Sequence, residues 1–435
     1  MSPPAGHGDA GDHESPLLAG NPLRSGQFIG GNQVRLLSGG DQLFPAMCLA
    51  IDQARQDVWL ATYIFLDDEA GRTVADALRI AAQRGVRVHL VVDGFGSRPL
   101  VPTLKSWLDV DGLEFSVFRP LDRWWSWLQP QHLRRLHHKL CVVDAEVAFV
   151  GGINVIDDRN DPVHGRFDSA RLDFAVELRG PVVPLVQHTV QSVCMRARLG
   201  QDWRHEMRAL ARGARPVAGT VRLLRGLRGT PSHAEMPLDA GSLQPVRVAF
   251  VVRDNLRQRR AIERRYIEAM RQAQLRVDIA CPYFYPGRAF LRTLRAAAKR
   301  GIRVRLLLQG KVDYHFAGLA ARVLYEELLS HDVKIYEYTA SFLHAKFALV
   351  DADWATVGSS NIDPLSLLLN LEANVVVRDV DFASQLSAHF DAALAQSQQV
   401  ESSVRRSGLR HWLSRGFVAW CATLYLRLAG ISKRY

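Results

Sequence analysis

The chain has 435 residues, 48% of them hydrophobic and 23% charged, which is ordinary for a globular protein and leaves room for more than one domain. Its formal net charge of +11 favours anionic partners, whether nucleic acid, anionic lipid head groups or a phosphate-bearing substrate. Five scattered cysteines without a Cys-x2-Cys spacing argue against a disulfide framework or a zinc site and indicate buried thiols.

The N-terminal half is predicted to alternate strands and helices. Residues 1–30 are rich in Gly, Pro, His and Asp, which predicts a disordered leader and no secretory signal. The predicted elements are strands at 33–37, 58–65 and 86–92, and helices at 39–56 and 73–84. This order predicts a parallel sheet with right-handed crossovers.

The second half repeats the first. Residues 294–304 match residues 78–88, and the aromatic stretch at 283–285 matches that at 63–65. We therefore predict two similar α/β halves, at 31–200 and 246–400, which pack against each other. Residues 201–245, rich in Arg and Gly, are predicted to join them.

Each half contains one copy of the motif H-x-K-x4-D-x6-G-[GS]-x-N, at 137–154 and at 344–361. The motif residues are His137, Lys139, Asp144 and Asn154 in the first copy, and His344, Lys346, Asp351, Ser359 and Asn361 in the second. A single His-x-Lys is more often an exposed strand end, but two complete copies indicate a site. Because alternate residues of a strand share a face, the histidine and lysine of each copy point the same way, and packed halves would bring both copies to one cleft.

Two histidines, two lysines and two asparagines in one cleft suit a phosphodiester substrate. Lysine and asparagine supply charge and donors for the non-bridging oxygens, while one imidazole attacks phosphorus and the other protonates the leaving oxygen. No metal or cofactor is expected, since lysine fills the role of a cation and would repel a metal ion. Asp173 and Glu372 follow their motifs at similar distances and are candidates to hold the far imidazole nitrogens, with ordinary surface pairs as the alternative.

Two stretches break the symmetry of the halves. Trp124, Trp125 and Trp127, which precede basic residues, fit either a membrane–water interface or a capping loop packed on the core. The tail at 401–435 has an apolar run between arginines that is too short to span a bilayer. It is predicted to lie in the membrane interface as a basic amphipathic segment, or else to dock on the body as a helix.

At its two motifs the chain resembles the phospholipase D superfamily, and residues 354–366 and 370–374 are similar to bacterial cardiolipin synthases of the B type. The resemblance covers about residues 33–400 and implies an α/β, duplicated phospholipase D-like fold with one shared active-site cleft. The roles it implies are nucleophile and general acid/base for His137 and His344, phosphate binding for Lys139 and Lys346, and support from Asn154 and Asn361. Asp144 and Asp351 belong to the family motif, but their position at a turn leaves a structural role equally open. Gly152 stands where the second motif has Ser359, which leaves the equivalence of the half-sites open.

The resemblance also implies a function. The expected enzyme is a phosphatidyltransferase that moves a phosphatidyl group from one phosphatidylglycerol to another, giving cardiolipin and glycerol through a phosphohistidine. Its expected partners are anionic phospholipids, phosphatidylglycerol and cardiolipin, and the membrane surface; nucleic acid is disfavoured, and no obligate protein partner is evident. Without the two N-terminal spanning helices of some relatives, a peripheral protein on the cytoplasmic face of the bacterial inner membrane is expected.

Two alternatives to the synthase stay open. One is a phospholipase D-type hydrolase, which would use water as the acceptor on phospholipid or nucleic acid. The other is a non-catalytic membrane-binding module that retains the fold, which the complete motifs in both halves disfavour.

Overall fold

The computed structural model describes residues 26–120, 134–161, 165–211, 246–253, 258–311, 324–363 and 370–401. Four predicted features therefore lie wholly or mostly outside the described residues: the leader, the tryptophans at 124, 125 and 127, the join, and the tail after residue 401. The helix that begins at Val183 ends at Ala211, so the start of the predicted join is helical.

Each half is built from three parallel strands and a set of antiparallel strands. The strands of the first half are β1 (Ile29–Ser38), β2 (Asp57–Thr62), β3 (Arg87–Asp93), β4 (Leu113–Phe118), β5 (Leu140–Val143), β6 (Val147–Gly151), β7 (Asn160–Asp161), β8 (Gly165–Arg166) and β9 (Phe174–Arg179). Those of the second are β10 (Val246–Arg253), β11 (Arg276–Cys281), β12 (Arg303–Gln309), β13 (Lys334–Tyr338), β14 (Phe347–Val350), β15 (Trp354–Gly358), β16 (Glu372–Arg378) and β17 (Ser397–Gln399). The helices are α1 (Gly40–Asp52), α2 (Glu69–Gln83), α3 (Val101–Trp107), α4 (Val183–Ala211), α5 (Ala261–Gln272), α6 (Arg288–Lys299) and α7 (Val380–Ala395).

Helix α2 shows how local sequence sets these elements. The Asp68 side chain accepts a hydrogen bond from Gly71 N at 2.9 Å and caps the helix, which therefore begins before the predicted residue 73. Val74, Leu78 and Ala81 recur at helical spacing and are buried against the sheet. The helix ends at Gln83, and Gly85 follows with a φ of 91°, in the left-handed region that favours glycine.

Among the described residues the main sheet contains fifteen strands, in the order β17-β13-β12-β11-β14-β15-β16-β10-β1-β9-β6-β5-β2-β3-β4, and β7 pairs with β8 separately. This order reads as two copies of one arrangement, joined where β1 pairs with β10. The predicted parallel sheet is wrong in part: among the described strands, β2-β3-β4 and β11-β12-β13 are parallel, whereas the motif strands are antiparallel. The reason is that β5–β6 and β14–β15 are joined by tight turns, which can connect only antiparallel neighbours.

The two halves share a hydrophobic core. Phe174 of the first half packs edge-on against Phe347 of the second, with ring centroids 5.3 Å apart, inside a buried cluster contributed by both halves. A separate cluster lies under the helices of each half. The predicted duplication into two packed α/β halves is confirmed. No helix among the described residues is both long and apolar enough to cross a membrane.

Candidate active site

The segments that precede the two motif histidines cross between the halves. His137 N donates to Leu371 O at 3.0 Å, and His344 N donates to Leu172 O at 2.9 Å. Leu371 and Leu172 each stand immediately before one of the predicted acidic residues. These backbone bonds therefore place each histidine beside the acid of the opposite half.

Each imidazole contacts a buried carboxylate through Nδ1. His137 Nδ1 lies 3.0 Å from Glu372 Oε2, and His344 Nδ1 lies 2.6 Å from Asp173 Oδ2. The Glu372 and Asp173 side chains are almost wholly buried, while 12% of His137 and 25% of His344 stay exposed. With the carboxylates ionised, Nδ1–H donates and Nε2 keeps its lone pair. The candidate acids are the predicted ones, but they serve the histidines crosswise.

The two motif lysines are buried between these pairs. Lys139 Nζ donates to His137 O at 3.0 Å, and Lys346 Nζ donates to His344 O. Burial lowers the pKa of Lys139 to about 7, with Glu372 opposing the shift and Lys346 adding to it. Burial likewise lowers the pKa of Lys346 to about 8, opposed by Asp173. Two ammonium groups crowded in one cleft make it a site for an anion, whose charge would stabilise both.

The electrostatics favour neutral imidazoles in the free protein. Burial lowers the pKa of His137, although the Glu372 carboxylate opposes it. Burial, then the charges of Lys346 and Arg171, hold the pKa of His344 well below its ordinary value. A neutral imidazole with Nδ1 bonded presents Nε2 as a nucleophile, so both histidines are prepared for attack on an electrophile.

The carboxyls themselves differ. Burial raises the pKa of Asp173 to about 6, against the opposing charge of Lys346. Burial also acts to raise the pKa of Glu372, but the interactions with His137, the charge of Lys139 and the hydrogen bond from Ser359 outweigh burial, so the pKa lies below its ordinary value.

Gly152 and Ser359 occupy equivalent places in the repeat, but they contact the two acidic side chains differently. The Ser359 hydroxyl donates to Glu372 Oε2 at 2.5 Å. A Cβ at Gly152 would overlap the Asp173 carboxylate, so no side chain fits there without a shift of Asp173. The departure from the motif at Gly152 is therefore a consequence of the close approach of Asp173.

The two motif asparagines are buried in the cleft. Asn154 Oδ1 accepts a hydrogen bond from Ile64 N at 3.2 Å. Asn361 Oδ1 has no partner within the described ranges. In each half the hairpin returns the backbone of the glycine step to the motif lysine, since Gly151 N donates to Lys139 O at 3.3 Å and Gly358 N donates to Lys346 O at 3.1 Å.

The structure does not bring Asp144 and Asp351 into the cleft. They lie at the far ends of β5 and β14 with φ of 52° and 54°. Asp144 accepts from the backbone N–H groups of residues 55–57 at 2.7–2.9 Å, and Asp351 from those of residues 274–276 at 2.7–3.2 Å. Of the two roles left open by the sequence, this geometry favours the structural one, which anchors the loops before β2 and β11.

Sequence reasoning missed two residues that orient the histidines. Asp93 Oδ2 accepts from Leu136 N at 2.8 Å, and Gln309 Oε1 accepts from Leu343 N at 2.8 Å. Both end the third strand of their halves, and each holds the residue before a motif histidine. The signal was present in the duplication, since both residues precede a glycine at the same place in the repeat.

Tyr63 was noted only as part of the repeat, yet it borders the site. Its ring centroid lies 5.0 Å from that of His137 and 5.4 Å from Lys139 Nζ. An aromatic face beside a buried ammonium stabilises its charge. Across the part of the chain that the structure describes, no group of three His, Cys, Asp or Glu residues is arranged to hold a metal ion.

Known proteins share this architecture. A family model described as "Cardiolipin synthase, PLD-like domain" matches residues 47–161 and 266–394. Cardiolipin synthase B of Escherichia coli (strain K12) is 36% identical over 376 residues, which cover 86% of this chain and 83% of that protein. Cardiolipin synthase B of Salmonella typhimurium (strain LT2) is 37% identical, with the same coverage of both chains.

A solved structure supports the fold. The phosphatidylserine synthase of Haemophilus influenzae aligns over 92% of this chain and 96% of its own, with a TM-score of 0.60 at 15% identity. The family match extends over both halves and includes both complete motifs. The protein belongs to the cardiolipin synthase family of phospholipase D-like proteins.

Proposed function

We propose that this protein is a cardiolipin synthase that transfers a phosphatidyl group between two phosphatidylglycerol molecules through a phosphohistidine. One observation carries the proposal: two imidazoles, each held at Nδ1 by a carboxylate, share a cleft with two buried lysines. This is the set of groups that a double displacement at a phosphodiester needs.

The first displacement forms the covalent intermediate. Nε2 of one imidazole attacks phosphorus, the bond from phosphorus to the glycerol oxygen breaks, and the second imidazole gives its proton to that oxygen. Glycerol leaves, and the phosphatidyl group stays on the first imidazole. Substrate binding helps to supply the required proton, because an anion raises the pKa of the imidazole that acts as the acid.

The second displacement consumes the intermediate. A glycerol hydroxyl of another phosphatidylglycerol gives its proton to the second imidazole, and its oxygen attacks phosphorus as the phosphorus–nitrogen bond breaks. Cardiolipin is released and both imidazoles return to their starting states. The Lys139 and Lys346 ammonium groups and the amides of Asn154 and Asn361 would bind the non-bridging oxygens in both steps.

We further propose that the protein works at the cytoplasmic face of the bacterial inner membrane as a peripheral protein, binding anionic phospholipids. The net charge of +11 supports this placement, since an anionic leaflet attracts basic proteins. Deleting residues 402–435 should weaken binding to phosphatidylglycerol vesicles in a flotation assay. Unchanged flotation would remove the tail from the proposal.

The activity is tested with vesicles of labelled phosphatidylglycerol and separation of the products by thin-layer chromatography. Cardiolipin and glycerol should dominate, and added glycerol should drive the reaction backwards, because the phosphodiester broken and the one formed are nearly equal in energy. Phosphatidic acid as the main product, without reversal by glycerol, would assign the protein to the hydrolases. Absence of any turnover by the folded protein would favour a non-catalytic membrane module.

A further inference from the structure

A cation packs on an aromatic ring beside each half-site. The Arg135 guanidinium carbon lies 5.3 Å from the centre of the Phe95 ring, and Lys311 Nζ lies 5.7 Å from the centre of the Phe342 ring. We call these the Arg135–Phe95 pair and the Lys311–Phe342 pair. Neither contains a motif residue.

The two pairs occupy equivalent places in the repeat. Phe95 and Lys311 each follow the glycine after the third strand of their half, where Gly94 N donates to Phe118 O at 2.8 Å and Gly310 N to Tyr338 O at 3.0 Å. Arg135 and Phe342 each stand two residues before a motif histidine.

The cation and the ring have therefore exchanged positions between the halves, while the pairing itself is kept. A repeat that only preserved packing would have no reason to keep one cation on one ring at each place. The retained feature is the combination of positive charge and an apolar face.

Each pair includes a residue of the segment that leads into a motif histidine. In the extended segments before the motifs, alternate residues share a face, so Arg135 lies on the side of His137, and Phe342 on the side of His344. The intervening Leu136 and Leu343 are buried. Two residues of extended chain span about 7 Å, which is comparable with the separation of two phosphates bridged by one glycerol.

Each pair has one member that is exposed to an incoming ligand. Phe95 is 55% exposed, and Lys311 is exposed as well. Arg135 is mostly buried and held in place, because Nη1 donates to Arg119 O at 3.3 Å and lies 3.9 Å from Asp93 Oδ1. An exposed ring beside an oriented guanidinium presents charge and apolar surface together, which matches the junction of a lipid phosphate with its glycerol backbone.

We propose that these two pairs are separate binding sites for the two lipids of the reaction, an inference that rests on the proposed function. The donor phosphate lies between the lysines, so the acceptor phosphate, which does not react, needs a cation outside that centre. The acceptor hydroxyl enters where glycerol left, beside the histidine that acts as acid and base. The pair next to that histidine binds the acceptor phosphate, and the other pair contacts the glycerol backbone of the donor.

The test uses vesicles of phosphatidylglycerol and measures both the total consumption of lipid and the ratio of phosphatidic acid to cardiolipin. Arg135→Phe and Lys311→Phe each remove one cation. At the acceptor pair this loss should raise the ratio about tenfold, because water replaces the acceptor lipid at the intermediate. At the donor pair it should raise the KM about tenfold and leave the ratio unchanged.

A swap variant tests whether each pair acts as a unit. Adding Phe95→Lys to Arg135→Phe rebuilds in the first half the arrangement of the second, and should recover most of the loss caused by Arg135→Phe alone. Lys299→Ala, which removes an exposed cation at the end of α6, is the matched control and should change neither quantity. Thermal unfolding of each variant identifies failure to fold.

The outcomes separate this inference from the function on which it rests. If the wild-type protein makes no cardiolipin, the proposed function fails. If it makes cardiolipin but both single variants match Lys299→Ala, or both show the same effect, the two-site inference is wrong. A swap variant that folds like the wild type but recovers no activity also overturns the inference. In a parallel assay with single-stranded DNA, variants that lose only DNA cleavage would assign the pairs to a nucleic-acid backbone, which overturns it as well.

Discussion

The two half-sites use the same groups in different surroundings. His137 faces Glu372, which also accepts a hydrogen bond from the Ser359 hydroxyl, whereas His344 faces Asp173, packed against Gly152. The pKa of Glu372 lies below its ordinary value, and burial raises that of Asp173 to about 6. Duplication therefore preserved the geometry of the imidazole and its carboxylate while separating their acidities. Such a separation suits a reaction in which one histidine forms a bond to phosphorus and the other carries a proton.

The largest effect should come from removing either imidazole. His137→Ala and His344→Ala are each expected to lower kcat at least about a thousandfold, since nucleophile and acid act as one unit and removal of either stops the cycle. Cardiolipin formation by each purified variant measures this. Near-wild-type activity in one folded variant would contradict a shared active site and would place catalysis in only one half.

The pH profile should report the titration of Asp173 and of Lys139. Asp173 gains a proton as pH falls through about 6, and Lys139 loses one as pH rises through about 7, so the catalytic form of the free enzyme is populated between these limits. We expect kcat/KM for phosphatidylglycerol to fall on both sides, about tenfold per pH unit well beyond each limit. A profile flat from pH 5 to 9 contradicts this assignment.

Exchanging the residues that contact the acids should sharpen the comparison. Ser359→Gly removes the hydroxyl from Glu372, and is expected to raise the pKa of that carboxyl and to lower kcat about tenfold, because a hydrogen bond to a charged group is lost. Gly152→Ser should instead lower the free energy of unfolding by about 1–3 kcal/mol, since its Cβ overlaps Asp173. Chemical denaturation and kinetics distinguish the two, and equal stability losses would argue against the proposed asymmetry.

The residues that orient the histidines also differ between the halves. Asp93 accepts hydrogen bonds on both carboxylate oxygens, whereas Gln309 has one amide oxygen. Asp93→Asn leaves one oxygen to accept and turns an NH2 group towards backbone N–H groups, so a loss of about 1–3 kcal/mol of stability and a several-fold drop in kcat are expected. Gln309→Ala is the corresponding change in the second half. If neither change lowers kcat, both residues have a purely structural role.

The smallest effect should come from His138, which occupies the place of Ala345 in the second half. Burial lowers the pKa of His138 to about 4, so it is neutral and its charge takes no part at neutral pH. His138→Ala should leave the pH profile unchanged and reduce stability by about 1–3 kcal/mol through a lost packing volume. A shifted acidic limb would instead mean that His138 influences the titration of a catalytic carboxyl.

The periodicity and the repeated motif were enough to predict much of the molecule. A buried strand after each His-x-Lys, a tight turn at Asp144 or Asp351 and a return strand into the glycine step are local features, so the hairpins β5–β6 and β14–β15 could be predicted from residues close together in the chain. The duplication also predicted that both motifs meet, because neither half can cover its apolar face alone.

Other features depended on contacts between distant residues. The parallel part of the sheet was overestimated, because the order of strands and helices indicates crossovers but does not show where the hairpin strands insert into the sheet. The site residues could be selected by type, but the sequence could not show that Asp144 and Asp351 point to loop backbones, since a carboxylate serves a turn and a reaction equally well.

The sequence by itself determined the chemistry available to this protein: two imidazoles, two ammonium groups and two amides, at spacings that put histidine and lysine on one face. Only the tertiary structure decided which carboxylate serves which histidine. His137 meets Glu372 and His344 meets Asp173 because the leucine before each acid pairs with the segment of the opposite half. Such pairing follows from how the two folded halves dock, so it cannot be predicted from residue spacings within either half.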